Sequence, residues 1–281
     1  MKLFDRSLYR RRTRQPISCL LFVLLALALP PVAPEPLSAQ GGPPLLTDDP
    51  GTPGPGRWEI NMAFTVEREQ SSWLLESPLL DLNYGWGERI QLKLEVPWIV
   101  RNHDVQETQT ALGSSRMGVK WRFHGDEKSP VAVSIYPQLT VNNPGPAARR
   151  GLVDQGTQML LPVELVHGVG PIRLNAEFGL NLQSREHNQW LYGLAFGYEA
   201  SSKLELLGEV HDISFTNFRE NELVFDVGGR RKLTRLNTLL FTLGRSLPGA
   251  TNSVPHFLRI QASSSVSEMS CMHIVLQIRA R

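Results

Sequence analysis

The sequence predicts an all-β protein, an up-and-down antiparallel transmembrane β-barrel of about twelve strands. Three observations predict it. Extended segments of roughly ten residues recur with turn chemistry between them, apolar and polar side chains alternate within them, and no amphipathic helix interrupts the series.

The amino terminus comes before any strand. Lys2, Arg6, Arg10, Arg11, Arg12 and Arg14 precede the uncharged run CLLFVLLALAL, Cys19 to Leu29, and the small-residue stretch Leu37-Ser38-Ala39 follows. This is the three-part pattern of a secretory signal peptide, residues 1–40, with cleavage near Ala39 or Gln40. The apolar run is about half the roughly 20 residues a spanning helix needs, and prolines follow it at once, so a retained anchor fits less well. Cys19 precedes the run rather than following it, which argues against a lipid anchor.

Removing residues 1–40 takes away six basic and two acidic residues and moves the formal charge from +2 to −2. The basic character belongs to the export signal, and nothing basic remains to argue for nucleic acid. Cys271 is the one remaining cysteine, so the exported chain has no internal disulfide to rely on.

Residues 41–57 read as a flexible periplasmic lead-in. Pro50, Pro53 and Pro55 each remove a donor, and Gly51, Gly54 and Gly56 raise the entropic cost of order. Asp48 and Asp49 within it fit a substrate gate, a periplasmic plug, a calcium-seeking loop, or plain turn chemistry that sets how the segment enters the barrel. No ligand spacing accompanies them, so neither metal nor cofactor is expected.

The barrel is read over residues 58–262. In the first segment Trp58, Ile60, Met62, Phe64 and Val66 share one face and Glu59, Asn61, Ala63, Thr65 and Glu67 the other. WLLESPLLDLNYG and ERIQLKLEVPWIV follow, then, after a polar connection, RMGVKWRFH and PVAVSIYPQLTV. A long loop leads to TQMLLPVELVHG and PIRLNAEFGLNLQ, then QWLYGLAFGYEA, KLELLGEVHDISF, ELVFDVGGRRKL, TRLNTLLFTLGRSL and HFLRIQA. Short and long connections alternate, as in a meander that keeps tight turns at one end. Residues 263–281 are a tail of uncertain structure.

Segment length separates a membrane barrel from a soluble sandwich, whose strands usually run about 5–6 residues. Most tryptophans and several tyrosines fall near segment ends, where interfacial belts lie. A sheet in lipid must close to satisfy its edges, and an even strand count lets the last strand meet the first antiparallel. Pro78, Pro97, Pro137 and Pro162 interrupt segments and require bulges or early strand ends.

The tract PLLTDDPGTPGPGRWEINMAFT, with the EVPW stretch Glu95 to Trp98, resembles the start of the outer-membrane proteins named for a putative meta-pathway of phenol degradation. The resemblance covers roughly Pro43 to Ala262. It implies an exported, transporter-like barrel, with aromatic or other hydrophobic solutes suggested by the family's name. The chain departs from common outer-membrane barrels in ending on Arg281 rather than an aromatic residue.

The lumen-lining candidates are Glu59, Lys93, Glu95, Lys120, Arg122, Glu164, Arg173, Glu177, Glu199, Glu205 and Glu209, with Asp226 and Arg230 beside them. Mixed charge inside a barrel suits an aqueous pore or a set of ion pairs that fills it. His211 and Ser214 are the one tempting hydrolytic pair, but residues three apart on a strand face opposite ways, so no catalytic residue is expected. The reading is a porin-like barrel in the outer membrane of a diderm bacterium. It has the lipid bilayer and the outer-membrane insertion machinery as partners and passes or binds small solutes. Its rivals are a non-conducting structural barrel and an outer-membrane hydrolase.

Overall fold

The computed structural model describes residues 44–68, 71–104, 107–217, 221–247 and 256–266. The expected export signal and most of the expected C-terminal tail lie outside the described residues.

The strand segments are β1 (Trp58–Arg68), β2 (Ser72–Trp86), β3 (Ile90–His103), β4 (Gln109–Leu112), β5 (Ser115–His124), β6 (Val131–Ile135) and β7 (Gln138–Val141). They continue as β8 (Gln158–Val169), β9 (Ile172–Gln183), β10 (Gln189–Ser201), β11 (Leu204–Phe215), β12 (Asn221–Lys232), β13 (Asn237–Leu247) and β14 (His256–Val266). β4 and β5 both pair with β3, and β6 and β7 both pair with β5 and β8, so each couple forms one interrupted strand. Counted so, twelve strands each pair antiparallel with the next in sequence, and β14 returns to β1 from Trp58↔Val266 to Arg68↔His256. The sheet has no free edge, as hydrocarbon requires.

The twelve expected segments are these twelve strands, with two extensions. β4 adds a second piece beyond the expected fourth segment, and β14 runs to Val266, four residues past the expected end of the barrel at 262. The prolines explain the irregularities. Pro137 separates β6 from β7, and Pro162 of β8 faces that gap: Tyr136 N–H donates to the Pro162 carbonyl at 3.1 Å, and proline has no N–H to return. Pro78 lies in the register shift between Glu76 and Leu79, and Pro97 lies where β3 changes partner from β5 to β4.

The wall is apolar outward and polar inward. Along β5, Val119 is 50% and Trp121 49% exposed, whereas Lys120 between them is 1% exposed. Phe178, Phe196, Val210, Phe225 and Leu243 are likewise exposed, while Glu164, Glu177, Glu209 and Asp226 are buried. A soluble domain reverses this, so the outward face is the one built for lipid tails. At one end of the cylinder the connections are tight, such as Gly170-Pro171 and Ser202-Lys203; at the other lies the 16-residue connection 142–157. That connection folds back onto the wall, where Ala147 and Leu152 join Ile99 and Ala111 in an apolar cluster backed by Leu74. Arg101 Nη1 holds it by donating to the Gly151 carbonyl at 3.1 Å.

Candidate functional site

The segment before β1 does not hang below the barrel as a flexible tether. Leu45, Thr47, Asp49 and Thr52 are buried, and residues 44–54 lie inside the ring of strands. The segment turns at the tight-turn end, where Gly54 and Gly56 adopt positive φ and Gly56 N–H donates to the Gly85 carbonyl at 2.9 Å. From there it rises into the bore.

Acidic side chains of the wall hold its backbone. Glu209 on β11 accepts from Leu46 N–H at 2.7 Å through one oxygen and from Thr47 N–H at 2.8 Å through the other. Glu177 on β9 accepts from Asp48 N–H at 2.9 Å. The Pro44 carbonyl accepts from Thr242 Oγ1 on β13 and Arg259 Nη1 on β14, each at 3.3 Å. Carboxylates bonding backbone N–H groups in this way make strong charge-assisted contacts.

The wall is also shaped to admit the segment. A Cβ on Gly193 of β10 would stand 2.3 Å from Thr47 Oγ1, and one on Gly85 of β2 would stand 1.9 Å from the Gly54 carbonyl oxygen. Only glycine fits at either place while the segment is seated. Leu45 completes the fit by packing on Ala195 and Leu207.

Lys120 is the cationic centre of this region. Its Nζ lies 2.9 Å from Asp48 Oδ1 and 3.3 Å from Glu164 Oε2, donates to the Asp49 carbonyl, and sits 4.5 Å over the Tyr136 ring. Ser134 Oγ donates to Glu164 Oε2 at 2.6 Å. Toward β2 and β3, Lys93 Nζ is 3.2 Å from Glu95 and 3.6 Å from Asp81, and Arg116 is 3.5 Å from Glu95. Asn61 Nδ2 donates at 3.1 Å to both Asp81 and Glu59. Such pairs hold together because each charge, taken out of water, meets an opposite one.

The other lumen candidates lie nearer the tight turns. Arg173 pairs with Glu199 at 3.2 Å, with half of the Glu199 side chain still exposed, and Arg230 pairs with Glu205 at 3.3 Å. Arg122 Nη2 donates to the Glu88 carbonyl at 2.6 Å, and Thr52 Oγ1 donates to the same carbonyl at 3.1 Å. Asp226 is buried on the inner face of β12.

The seated segment stands between two cavities. One, of about 240 Å³, opens on the long-loop side, with Leu46 in its lining; the other, of about 270 Å³, lies on the tight-turn side against Asp49 to Pro53, with Arg57, Arg122 and Arg173 in its wall.

His211 and Ser214 are not brought together. Ser214 Oγ donates to Asp212 at 2.7 Å, while His211 lines the long-loop cavity. Sequence reasoning missed Tyr136, Asp81 and the connection 142–157 as parts of the interior. For Asp81 the signal was at hand, because Leu80-Asp81-Leu82-Asn83 alternates as cleanly as the segments that supplied candidates.

No protein-family model matches the chain, and no curated protein matches it. Solved structures do. The COG4313 outer membrane channel from Pseudomonas putida F1 superposes with a TM-score of 0.64 at 12% identity, covering 81% of this chain and all of that one. The NanC porin gives 0.53 at 12% identity over 73% of this chain and 98% of its own. The KdgM porin, in complex with disordered oligogalacturonate, gives 0.51 at 8% identity over 72% of this chain and 98% of its own. The chain therefore has the fold of the outer-membrane barrel channels and porins.

Proposed function

We propose that the protein is a passive channel of an outer membrane, carrying small solutes through its polar lumen, with residues 44–54 as the constriction between two vestibules. The observation that carries this is the pair of cavities on opposite sides of one seated segment. A barrel filled only for stability has no reason to keep such spaces along its axis, whereas a permeation path needs entry and exit chambers. The resemblance of the Thr47–Thr52 tract to the phenol meta-pathway family favours solutes with an aromatic body. Asp48 and Asp49 act in this reading as a gate, because both engage Lys120 and form part of the constriction.

The dense contacts around Lys120 and Glu209 favour one rival, a barrel that stays shut and serves the envelope structurally. Single-channel recording in planar bilayers decides between them. The channel reading expects a small conductance for the intact chain and one several-fold larger after residues 41–54 are deleted. Silence from both proteins, with each inserted and folded, overturns it.

A further inference from the structure

We infer that the cavity on the long-loop side of the seated segment binds small organic cations, an ammonium group on an apolar body, with His211 and Glu222 as its anchors. The inference deepens the solute-passage reading and rests on it for its physiological sense, though not for its test.

The cavity is built on adjacent strands. His211 of β11 stands opposite Val224 of β12, Glu222 opposite Ile213, and Val224 in turn opposite Ser246 of β13, and all five line the cavity. His211 is 3% exposed, and among the described residues neither of its ring nitrogens has a hydrogen-bond partner. A buried imidazole left so is destabilising unless something else supplies the bond, and in its neutral form one nitrogen accepts an N–H.

Charge decides which group supplies it. Among the described residues Glu222 receives only the Ser246 hydroxyl, at 2.7 Å, and Glu76 across the cavity only the Thr65 hydroxyl, at 3.0 Å. Among those same described residues Glu222 has no Lys or Arg partner, whereas the charge of Arg116, outside the lining, reaches Glu76. Together Glu222 and Glu76 set two carboxylates in the lining against one guanidinium, Arg259, which already donates to the Pro44 carbonyl. A partly desolvated chamber with that excess attracts cations and repels anions. Its remaining wall, Leu46, Leu74, Ile213 and Val224, suits a hydrocarbon body. The volume of about 240 Å³ exceeds the roughly 150 Å³ that accommodates benzene in an engineered apolar cavity, so one ring with a short arm fits.

Benzylamine, benzyl alcohol and benzoate share a ring and differ in the charge of the head group, which makes them the probes. Calorimetry on the purified mature chain in uncharged detergent micelles is expected to show benzylamine binding roughly tenfold more tightly than the other two. His211→Leu and Glu222→Gln are each expected to weaken benzylamine by about tenfold and leave benzyl alcohol where it was. His211→Gln, which keeps an acceptor, retains most of the affinity. The heat-dependent gel shift of a folded barrel confirms that each variant is intact. Equal affinity for the three probes, preference for benzoate, or no benzylamine binding overturns the inference.

Liposome swelling separates this outcome from failure of the channel reading. Benzylamine binding that the variants abolish, in a protein that admits no solute into liposomes, leaves the site standing and removes the channel. Free passage of solutes without benzylamine binding does the reverse.

Discussion

The two halves of the bore are held by opposite kinds of chemistry. Around residues 44–54, carboxylates meet backbone N–H groups or Lys120, and the wall gives way with glycine where the chain comes close. Beyond Leu46, toward the long loops, His211 has no hydrogen-bond partner and Glu222 meets only a hydroxyl among the described residues. Interactions completed within the chain make a seal, and interactions left open make a receptor for something from outside. One barrel wall builds both, because its inward positions are free to vary while the outward positions must stay apolar.

The contrast breaks most severely at Lys120. Lys120→Met strands Asp48 and Glu164 without their cation, and removing one partner of a buried pair costs about 3–5 kcal/mol. Urea unfolding in lipid vesicles is expected to show the midpoint fall accordingly; an unchanged midpoint means that the seal does not depend on this charge. Glu209→Gln comes next. It leaves one acceptor oxygen for the two N–H groups of Leu46 and Thr47 and turns an amide NH2 toward the other, at a loss of about 1.5–3 kcal/mol confined to the seated segment. Faster protease clipping within residues 44–54, with the barrel's gel shift intact, is the expected reading.

Gly193→Leu sharpens the same comparison by steric means. Overpacking against Thr47 costs about 1–3 kcal/mol and is relieved if the segment leaves its seat, so raised conductance is expected without loss of the folded barrel. Conductance equal to that of the unaltered protein shows that the segment tolerates the intrusion in place.

The smallest effect belongs to the barrel mouth, outside both halves. Arg68 donates to both Asp104 oxygens, at 3.1 and 3.0 Å, and holds that carboxyl below its ordinary value of 3.8. A lowered folded value stabilises above the ordinary one, and the contribution disappears as pH falls through the lowered value. Asp104→Asn is therefore expected to differ slightly from the parent at pH 7 and to converge with it in acid below 3.8. The pair is in reach of solvent, with side chains 30% and 47% exposed, so added salt shrinks the difference further. A gap that widens in acid contradicts the assignment.

Periodicity made the wall legible. Ile172, Leu174, Ala176 and Phe178 against Arg173, Asn175 and Glu177 announce both the strand and the face on which charge belongs. The four prolines gave fair warning of the irregular places. The seated segment was illegible for a physical reason: its order comes from Glu177 and Glu209, which lie 129 and 162 residues from Asp48 and Thr47. Local composition reports only the intrinsic cost of ordering such a tract, and its glycines and prolines raise or fix that cost without naming the partner that offsets it. Gly193 and Gly197 in WLYGLAFGYEA were the available hint, since a glycine at an inward strand position marks close approach by another group.

The gap beside Tyr136 makes the wall mechanically uneven. β8 is stitched to β9 through twelve paired residues from Gln158 to Val169, but to β6 and β7 through five and three, with Pro162 facing the break. On the other side β5 meets β6 and β7 through three and four, so the interrupted strand is the weakly stitched part of the cylinder on both flanks. Tyr136, whose ring carries the Lys120 ammonium, stands at that break, so the charged centre of the interior is mounted on the least continuous stretch of the wall.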